Sequence, residues 1–427
     1  MSFLSREILK DMGFKKLGRN VLISDKASIY RPSVIEIGNN VRIDDFCILS
    51  PGDDGIKIGD CIHIGCQSTL IGRGRITLDD FVNISSKVSI YSSNDDYSGS
   101  WMTSPMVPKE FTNVIDQPVT IGKHTIIGSS SVILPGIEIG KYCAIGSLSL
   151  VKKSIEEGWI VGGAPCRKIS RRNLNLIDLE SKYWESIKPE VSVIVPCYKF
   201  KKYIEKCILS IQEQITDFNF EIIVSDDYSC DGTIEILRDL AKKDRRIRVI
   251  EKSTNTGAFN NIRNLHLESK GKYIAYLDGD DFFTDPYKLQ KQYDFLESNP
   301  EYSLHSTGYM YIDDENVPGE IYYIPLKETV TIYDILEVNF ITFGKFYKNT
   351  PNLISDWMVD LEFLDWGMNL ENLKHGKAKC ENWIGGMYRV NGRGMITSKT
   401  QEEIDILNEK TRNILYSEYL NYKSEIK

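Results

Sequence analysis

The chain runs to 427 residues with a hydrophobic share of 41% and a charged share of 26%, which describes a soluble globular protein of two or three domains. Its formal net charge of −8 excludes a nucleic-acid binder, because phosphate contacts need an excess of Lys and Arg. No run approaches the ~18 apolar residues of a membrane span, and nine scattered cysteines without a Cys-x-x-Cys pair suit reduced cytoplasmic thiols rather than disulfides or zinc.

The first stretch, "MSFLSREILKDMGFKKLG", lacks a signal-peptide core and reads as a short amphipathic helix. From about Ile23 to Val151 the sequence then repeats in sixes, as in "IGNNVR", "IGDCIH", "IGKHTI" and "IGSLSL". An aliphatic residue in each six points into a triangular prism, and Gly or Asn is expected where the chain turns a corner. Each coil buries its inner face only by stacking on the next, so the pattern predicts an all-β solenoid. Ordinary hairpins would instead need period-two alternation with a turn about every ten residues. The rhythm breaks once, from Ser92 to Pro118, in a segment with Trp101 and three prolines that reads as an ordered, expelled, functional loop.

These features, with the closing "VGGAPCRKI", resemble the hexapeptide-repeat, left-handed parallel β-helix acyltransferases, sugar O- and N-acetyltransferases among them, over residues 1–169. The resemblance implies a homotrimer in which acetyl-CoA lies in the groove between neighbouring prisms and the loop reaches across to complete the site. It also implies a catalytic histidine just before the loop, acting as general base on the acceptor hydroxyl or amine. Asp95 stands there instead, followed by Asp96. His63, in the coil beneath, is expected to come near Asp95 and form a His–Asp base. The alternatives are that His63 is only a surface histidine at a coil corner, or that an amine acceptor attacks without a side-chain base once the loop holds it. His124 is expected to face the CoA groove or solvent. Around Ser129 and Ser147 the coils offer backbone donors to the CoA amides, while Lys152, Lys153, Arg167 and Lys168 offer cations to its phosphates.

Residues 170–190 form a charged, helix-prone linker, after which the grammar changes. "VSVIVP", "FEIIVSDD", "IRVIEK" and "KYIAYLD" read as strands alternating with helical segments such as "TIEILRDLAKK". That alternation implies a mostly parallel sheet with ligands beyond the carboxyl ends of its strands. Asp226, Asp227, Asp278, Asp280 and Asp281 all fall at such ends. Carboxylates crowded there from two strands suit a hard divalent cation carrying phosphates, Mn2+ or Mg2+.

Residues 191–399 resemble the family 2 inverting glycosyltransferases of GT-A fold, an α/β, Rossmann-like architecture, through "VSVIVPCYKFKKYIEKC", "EIIVSDDYSCDGT", "NTG" and "GKYIAYLDGDD" in order. By that resemblance Pro196, Tyr198 and Asp227 hold the nucleoside base, and Asn255 and Gly257 shape the loop over ribose and phosphate. Arg263 matches the family's arginine, which implies that it stabilises phosphate charge, with a plain surface arginine as the alternative. Asp278 and Asp280 serve the diphosphate, with Asp280 and Asp281 as the metal ligands. The segment "FLDWGMN" puts Asp365 where the family keeps the base that deprotonates the acceptor hydroxyl, with Asp356 and Asp360 nearby. In the closing "YRVNGRG", Asn391 replaces a common histidine, and residues 400–427 read as a polar helical tail.

The two resemblances together imply a bifunctional enzyme of bacterial surface polysaccharide, capsule or O-antigen, that acetylates a sugar and transfers a sugar from a nucleotide donor. The family resemblance makes UDP the expected nucleotide, since a carboxylate facing the base suits the uracil N–H, with GDP and dTDP left open. The acceptor is expected to be a lipid-linked glycan reached from the cytoplasmic face of the inner membrane. One rival makes the solenoid an inactive trimerisation scaffold; another makes the second half a regulatory nucleotide-sugar module.

Overall fold

A computed structural model describes residues 2–322, 327–339, 341–390 and 399–425. It divides into two compact units, Met1–Trp184 and Glu185–Lys427.

In the first unit, short strands stack into sheets of six, eight and six strands, the faces of a β-helix. Successive strands of a face come from successive coils and pair in parallel: Ile37 stands on Ile58, Ile58 on Leu78, and Leu78 on Ile121. All four are buried in one continuous aliphatic core. Each contributes roughly 1.5–3 kcal/mol by leaving water, which is why every coil repeats an aliphatic at this position. Helix α1 (Arg6–Asp11) is capped by Ser5 and buries Leu9 in the same core.

The corners differ from expectation. Several are turned by bulky residues in the left-handed region, among them Cys61, Phe81, His124 and Tyr142. Their backbone N–H groups bond to the coil below, as in Phe81 N–H to Asp60 O at 2.8 Å and Tyr142 N–H to Lys123 O at 2.7 Å. This offsets part of the conformational cost. The glycines serve a different purpose. A Cβ on Gly65 would lie 2.8 Å from the Ser86 nitrogen, and one on Gly128 only 2.5 Å from that of Ser147. They set the spacing between coils.

The interrupting segment leaves the prism after Tyr91 and rejoins it at Val119. Its ends are clasped by an antiparallel pair, Ser93 with Asp116 and Asn94 with Ile115, and by a 2.6 Å bond from Ser93 Oγ to Asp116. Tyr97 and Met106 beyond the clasp are almost wholly exposed. Helix α2 (Leu176–Ser186), within which the unit boundary falls, lays Glu180, Tyr183 and Trp184 against the Phe81–His124 corner ladder.

The second unit is an α/β domain. In chain order it runs β1 (Val191–Cys197), α3 (Ile204–Gln212), β2 (Phe220–Asp226), α4 (Thr233–Lys243), β3 (Ile247–Glu251), α5 (Gly257–Glu268) and β4 (Tyr273–Tyr276). There follow β5 (Phe282–Phe283), α6 (Lys288–Ser298), β6 (Tyr302–Ile312), α7 (Ile332–Glu337), β7 (Phe346–Lys348), α8 (Leu364–Leu373), β8 (Lys377–Arg389) and α9 (Gln401–Glu425). The sheet order is β3-β2-β1-β4-β7-β6-β8-β5, parallel through its first four strands. Val193 and Val195 of β1 pack with Ile208 of α3, whereas Ile194 packs on the opposite face with Leu265 of α5. Burial on both faces explains the unbroken apolar run of "VSVIVP".

Candidate functional site

In the first unit the expected His63–Asp95 pair is not formed. His63 stands in an outward ladder between Arg42 and Asn83 of the adjacent coils. Its Nε2 lies 2.9 Å from Asp44 Oδ2, and its Nδ1 3.3 Å from Asn83 Oδ1. Burial works against ionisation of Asp44, but hydrogen bonds from His63 and Arg42 prevail and hold its carboxyl below the ordinary range. Asp95 lies past the strand-pair clasp on a different face and is exposed. The register of stacking, not proximity in sequence, decides the partner.

His124 does not face a groove or solvent either. Its ring stacks on Phe81 at 4.5 Å, and its Nε2 is 2.9 Å from Glu180. Burial opposes the charge on Glu180, yet bonds from Lys123, His124 and Trp184 bring its pKa down to about 2.

Ser129 and Ser147 follow Gly128 and Gly146 on neighbouring coils, whose strands pair Ile127 with Ile145. The Ser129 carbonyl accepts from Leu148. The four cations named from the sequence line one cavity of about 350 Å3 with Pro165 and Cys166. Lys168 is paired with Glu156 at 2.7 Å and covers Trp159, while Lys152, Lys153 and Arg167 make no ion pair among the described residues. A concave site with surplus positive charge suits phosphate groups.

In the second unit the aspartates gather around the end of β1. Asp227 N–H bonds to Cys197 O, Leu277 N–H to Ile194 O and Gly279 N–H to Pro196 O, so all three strand ends are tied together. Tyr198 beside them is exposed, with Lys199 over its ring. The Asp227 carboxylate is engaged with the start of α5, accepting from Thr256 N and Oγ1 and from Gly257 N at 2.8–2.9 Å. Any contact to a nucleoside base must share that carboxylate. Asn255 caps the same turn through Gly257 N–H, and Gly257 has φ +82°, which favours a residue without Cβ. Arg263 pairs with Asp356 at 2.5 Å on the surface.

Asp281 is buried, and Asp278 and Asp280 are half-buried. Burial, then the charges of Asp280 and Asp278, push the Asp281 carboxyl well above the usual carboxylate range, against one bond from Arg389 N–H. Arg389 also holds Asp280 O through Nε, and reaches Asp313 O and Asn316 with its other nitrogens. The donor set fits a hard divalent cation. Among the described residues no three His, Cys, Asp or Glu side chains form a metal cage; a hard ion that takes one or two carboxylates completes its shell with phosphate and water. Asn391 lies outside the described residues.

Asp365 opens α8, where the helix dipole favours negative charge. Its Oδ2 accepts from Asn339 Nδ2 at 2.8 Å and lies 3.7 Å from Lys345 Nζ. Asn339 and Lys345 escaped notice in the sequence. A lone lysine in the apolar run "ITFGKFY" was the available signal.

A glycosyl transferase family 2 model matches residues 192–349, and a bacterial transferase hexapeptide model of six repeats matches residues 118–153. The dTDP-4-amino-4,6-dideoxy-D-glucose acyltransferase of Escherichia coli is 51% identical over 183 residues, covering 43% of this chain and 95% of its own. AntD, an N-acyltransferase from Bacillus cereus solved in complex with dTDP and 3-hydroxybutyryl-CoA, is 46% identical, with a TM-score of 0.42 over 43% of this chain and 97% of its own. TuaG of Bacillus subtilis, named as a teichuronic acid biosynthesis glycosyltransferase, is 38% identical over 152 residues, 35% of this chain. The chain spans 58% of that relative's length. The polypeptide therefore belongs to the hexapeptide-repeat acyltransferases and carries a family 2 glycosyltransferase domain behind the β-helix. Both units are transferases by descent, as their repeats and motifs imply.

Proposed function

We propose that the first unit transfers an acyl group from acyl-CoA to the amine of a nucleotide-linked amino sugar, and that the second uses a nucleotide sugar to extend a glycan with inversion. The observation that carries the first part is the 51% identity, over 95% of its length, to an acyltransferase named for dTDP-4-amino-4,6-dideoxy-D-glucose. The missing His63–Asp95 pair agrees with it. A neutral amine is nucleophilic enough to attack a thioester once positioned, so the site needs only a group to take the amine's proton. Asp95 beside the loop clasp is the candidate. The C–N bond forms as the C–S bond breaks, and the proton from nitrogen leaves by way of Asp95 while the thiolate departs as CoA. Lys152, Lys153 and Arg167 would hold the CoA phosphates. Acetyl-CoA is the simplest donor for this step.

The acylated product keeps its nucleotide and is chemically a glycosyl donor. We assign it to the second unit, with dTDP taking the place first given to UDP. Thymine and uracil offer the same N–H between two carbonyls, so Asp227 and the Tyr198 wall serve either. A divalent cation on Asp280 and Asp281 would neutralise the departing diphosphate. Asp365 takes the proton from the acceptor hydroxyl as its oxygen attacks the anomeric carbon, and the C–O bond to the diphosphate breaks on the opposite face. A surface-polysaccharide role, in capsule or O-antigen, is supported by this pairing of reactions, and a homotrimer built through the β-helix by the resemblance to hexapeptide-repeat acyltransferases. Incubating the protein with acetyl-CoA and dTDP-4-amino-4,6-dideoxyglucose tests the core of the reading. Stoichiometric CoA release and a new dTDP-sugar are expected. No CoA release with this or any amino-sugar nucleotide would reject it.

A further inference from the structure

Among the described residues two lysines of the second unit are fully buried, and they are treated differently. Lys288 gives its ammonium to neutral acceptors, Gln292 Oε1 and Gly344 O. Lys345, just before β7, instead faces the carboxylate of Asp365 at 3.7 Å. It also lies 5.6 Å from the ring centre of Tyr276, whose hydroxyl donates to Asp278 Oδ1 at 2.9 Å. A buried ammonium costs several kcal/mol unless a carboxylate answers it, and a merely structural pair is usually sealed from water. This pair is not sealed: Lys345 is 2% exposed, but Asp365 is 34% exposed.

The second contact to Asp365 is also built rather than incidental. Asn339 Nδ2 bonds to the same Oδ2, and Asn339 Oδ1 accepts from Asn369 Nδ2 at 2.9 Å. Asn369 is wholly buried and fixed by a further bond to Ile341 O at 2.8 Å. One carboxylate oxygen is therefore gripped from two sides. The other, Oδ1, has no hydrogen bond among the described residues and is left to take a proton. Lys345 is thus within reach both of Asp365 and of the Tyr276 ring whose hydroxyl bonds Asp278; burial lowers the pKa of its ammonium, and the charges of Asp365 and Asp278 work against that drop.

We propose that Lys345 is a positioning residue of glycosyl transfer, which holds Asp365 by Oδ2 in one rotamer, so that Oδ1 meets the acceptor hydroxyl. The proposal rests on Asp365 being the base. It is tested on the full-length protein by dTDP release from the acylated dTDP-sugar with an octyl glycoside acceptor, comparing Lys345→Met, Asp365→Asn and the double variant. Lys345→Met is expected to lower kcat about 100-fold while donor KM and metal-dependent nucleotide binding stay within about twofold. In the Asp365→Asn background the same change should cost less than about threefold, because the two residues act as a unit. An unchanged kcat, or a loss that adds in full to that of Asp365→Asn, overturns the proposal and leaves the base assignment standing. Wild-type turnover by Asp365→Asn overturns the base assignment and this proposal with it. Should Lys345→Met fail to bind nucleotide, Asn339→Leu decides: a kcat-only loss supports the gripped-oxygen arrangement, and unchanged kcat rejects it.

Discussion

Asp280 and Asp365 share a domain and a residue type, yet the proposed function gives them separate tasks that substitution should pull apart. Asp280→Asn is expected to weaken nucleotide binding and make what remains indifferent to Mn2+, measured by calorimetry with and without the ion. Asp365→Asn should leave donor affinity near normal and lower kcat by roughly 10²–10⁴, the usual effect of a lost general base. Metal-dependent binding and turnover retained by both Asp280→Asn and Asp281→Asn would reduce the aspartates to a solvated loop. In the first unit the contrast runs between His63 and Asp95. His63 is occupied by Asp44 and Asn83, so His63→Ala should slow acyl transfer by less than about tenfold. Asp95→Asn should reach the general-base range. Equal large losses from both would restore the His–Asp base.

At the scale of elements, α2 is latched by one carboxylate. Glu180 is 14% exposed and bonded to Lys123 and His124, with a pKa near 2. A depressed carboxyl stabilises the fold above its ordinary pKa, and that contribution fades as pH falls from about 4.5 towards 2. Glu180→Gln should therefore lower Tm by about 5 °C at neutral pH, with the gap to wild type closing through that acid window. A pH-independent gap would mean the latch is packing alone. Helix α9 is likewise a brace, not a free tail. It buries Leu415 and Tyr419, and Glu418 pairs at 2.8 Å with Lys374, the C-cap of the helix whose first turn carries Asp365. Removing residues 400–427 should lower glycosyl transfer and leave acyl transfer intact. The element scale is also where reading the sequence succeeded and failed. Coils announce themselves because each must bury its own aliphatics, and strand-end aspartates because the strands are continuous apolar runs. The partners of His63, and the Lys345–Asn339–Asn369 grip on Asp365, depend on which segments meet in space. Nothing local in "ITFGKFY" or "IGDCIH" encodes that meeting.

At the scale of the whole molecule, each unit has its own core and its own chemistry, so the activities should fail independently. Asp365→Asn is expected to acylate at the wild-type rate, and Asp95→Asn to transfer a preformed acylated sugar normally; cross-impairment would argue that the units work only together. Light scattering on the full chain should give three copies, with residues 185–427 alone giving one. No described helix is long and apolar enough to cross a membrane. The clasp at Ser93 and Asp116 has a further consequence, for how such a protein diversifies. Because both ends of the excursion are pinned at one rung while Leu78 stacks directly on Ile121, the prism is indifferent to what lies between. Loop-closure entropy grows only logarithmically, about 0.6 kcal/mol for each doubling of length. Insertion, deletion or exchange can therefore be absorbed in this one segment, with the rest of the β-helix unchanged as an inherited chassis.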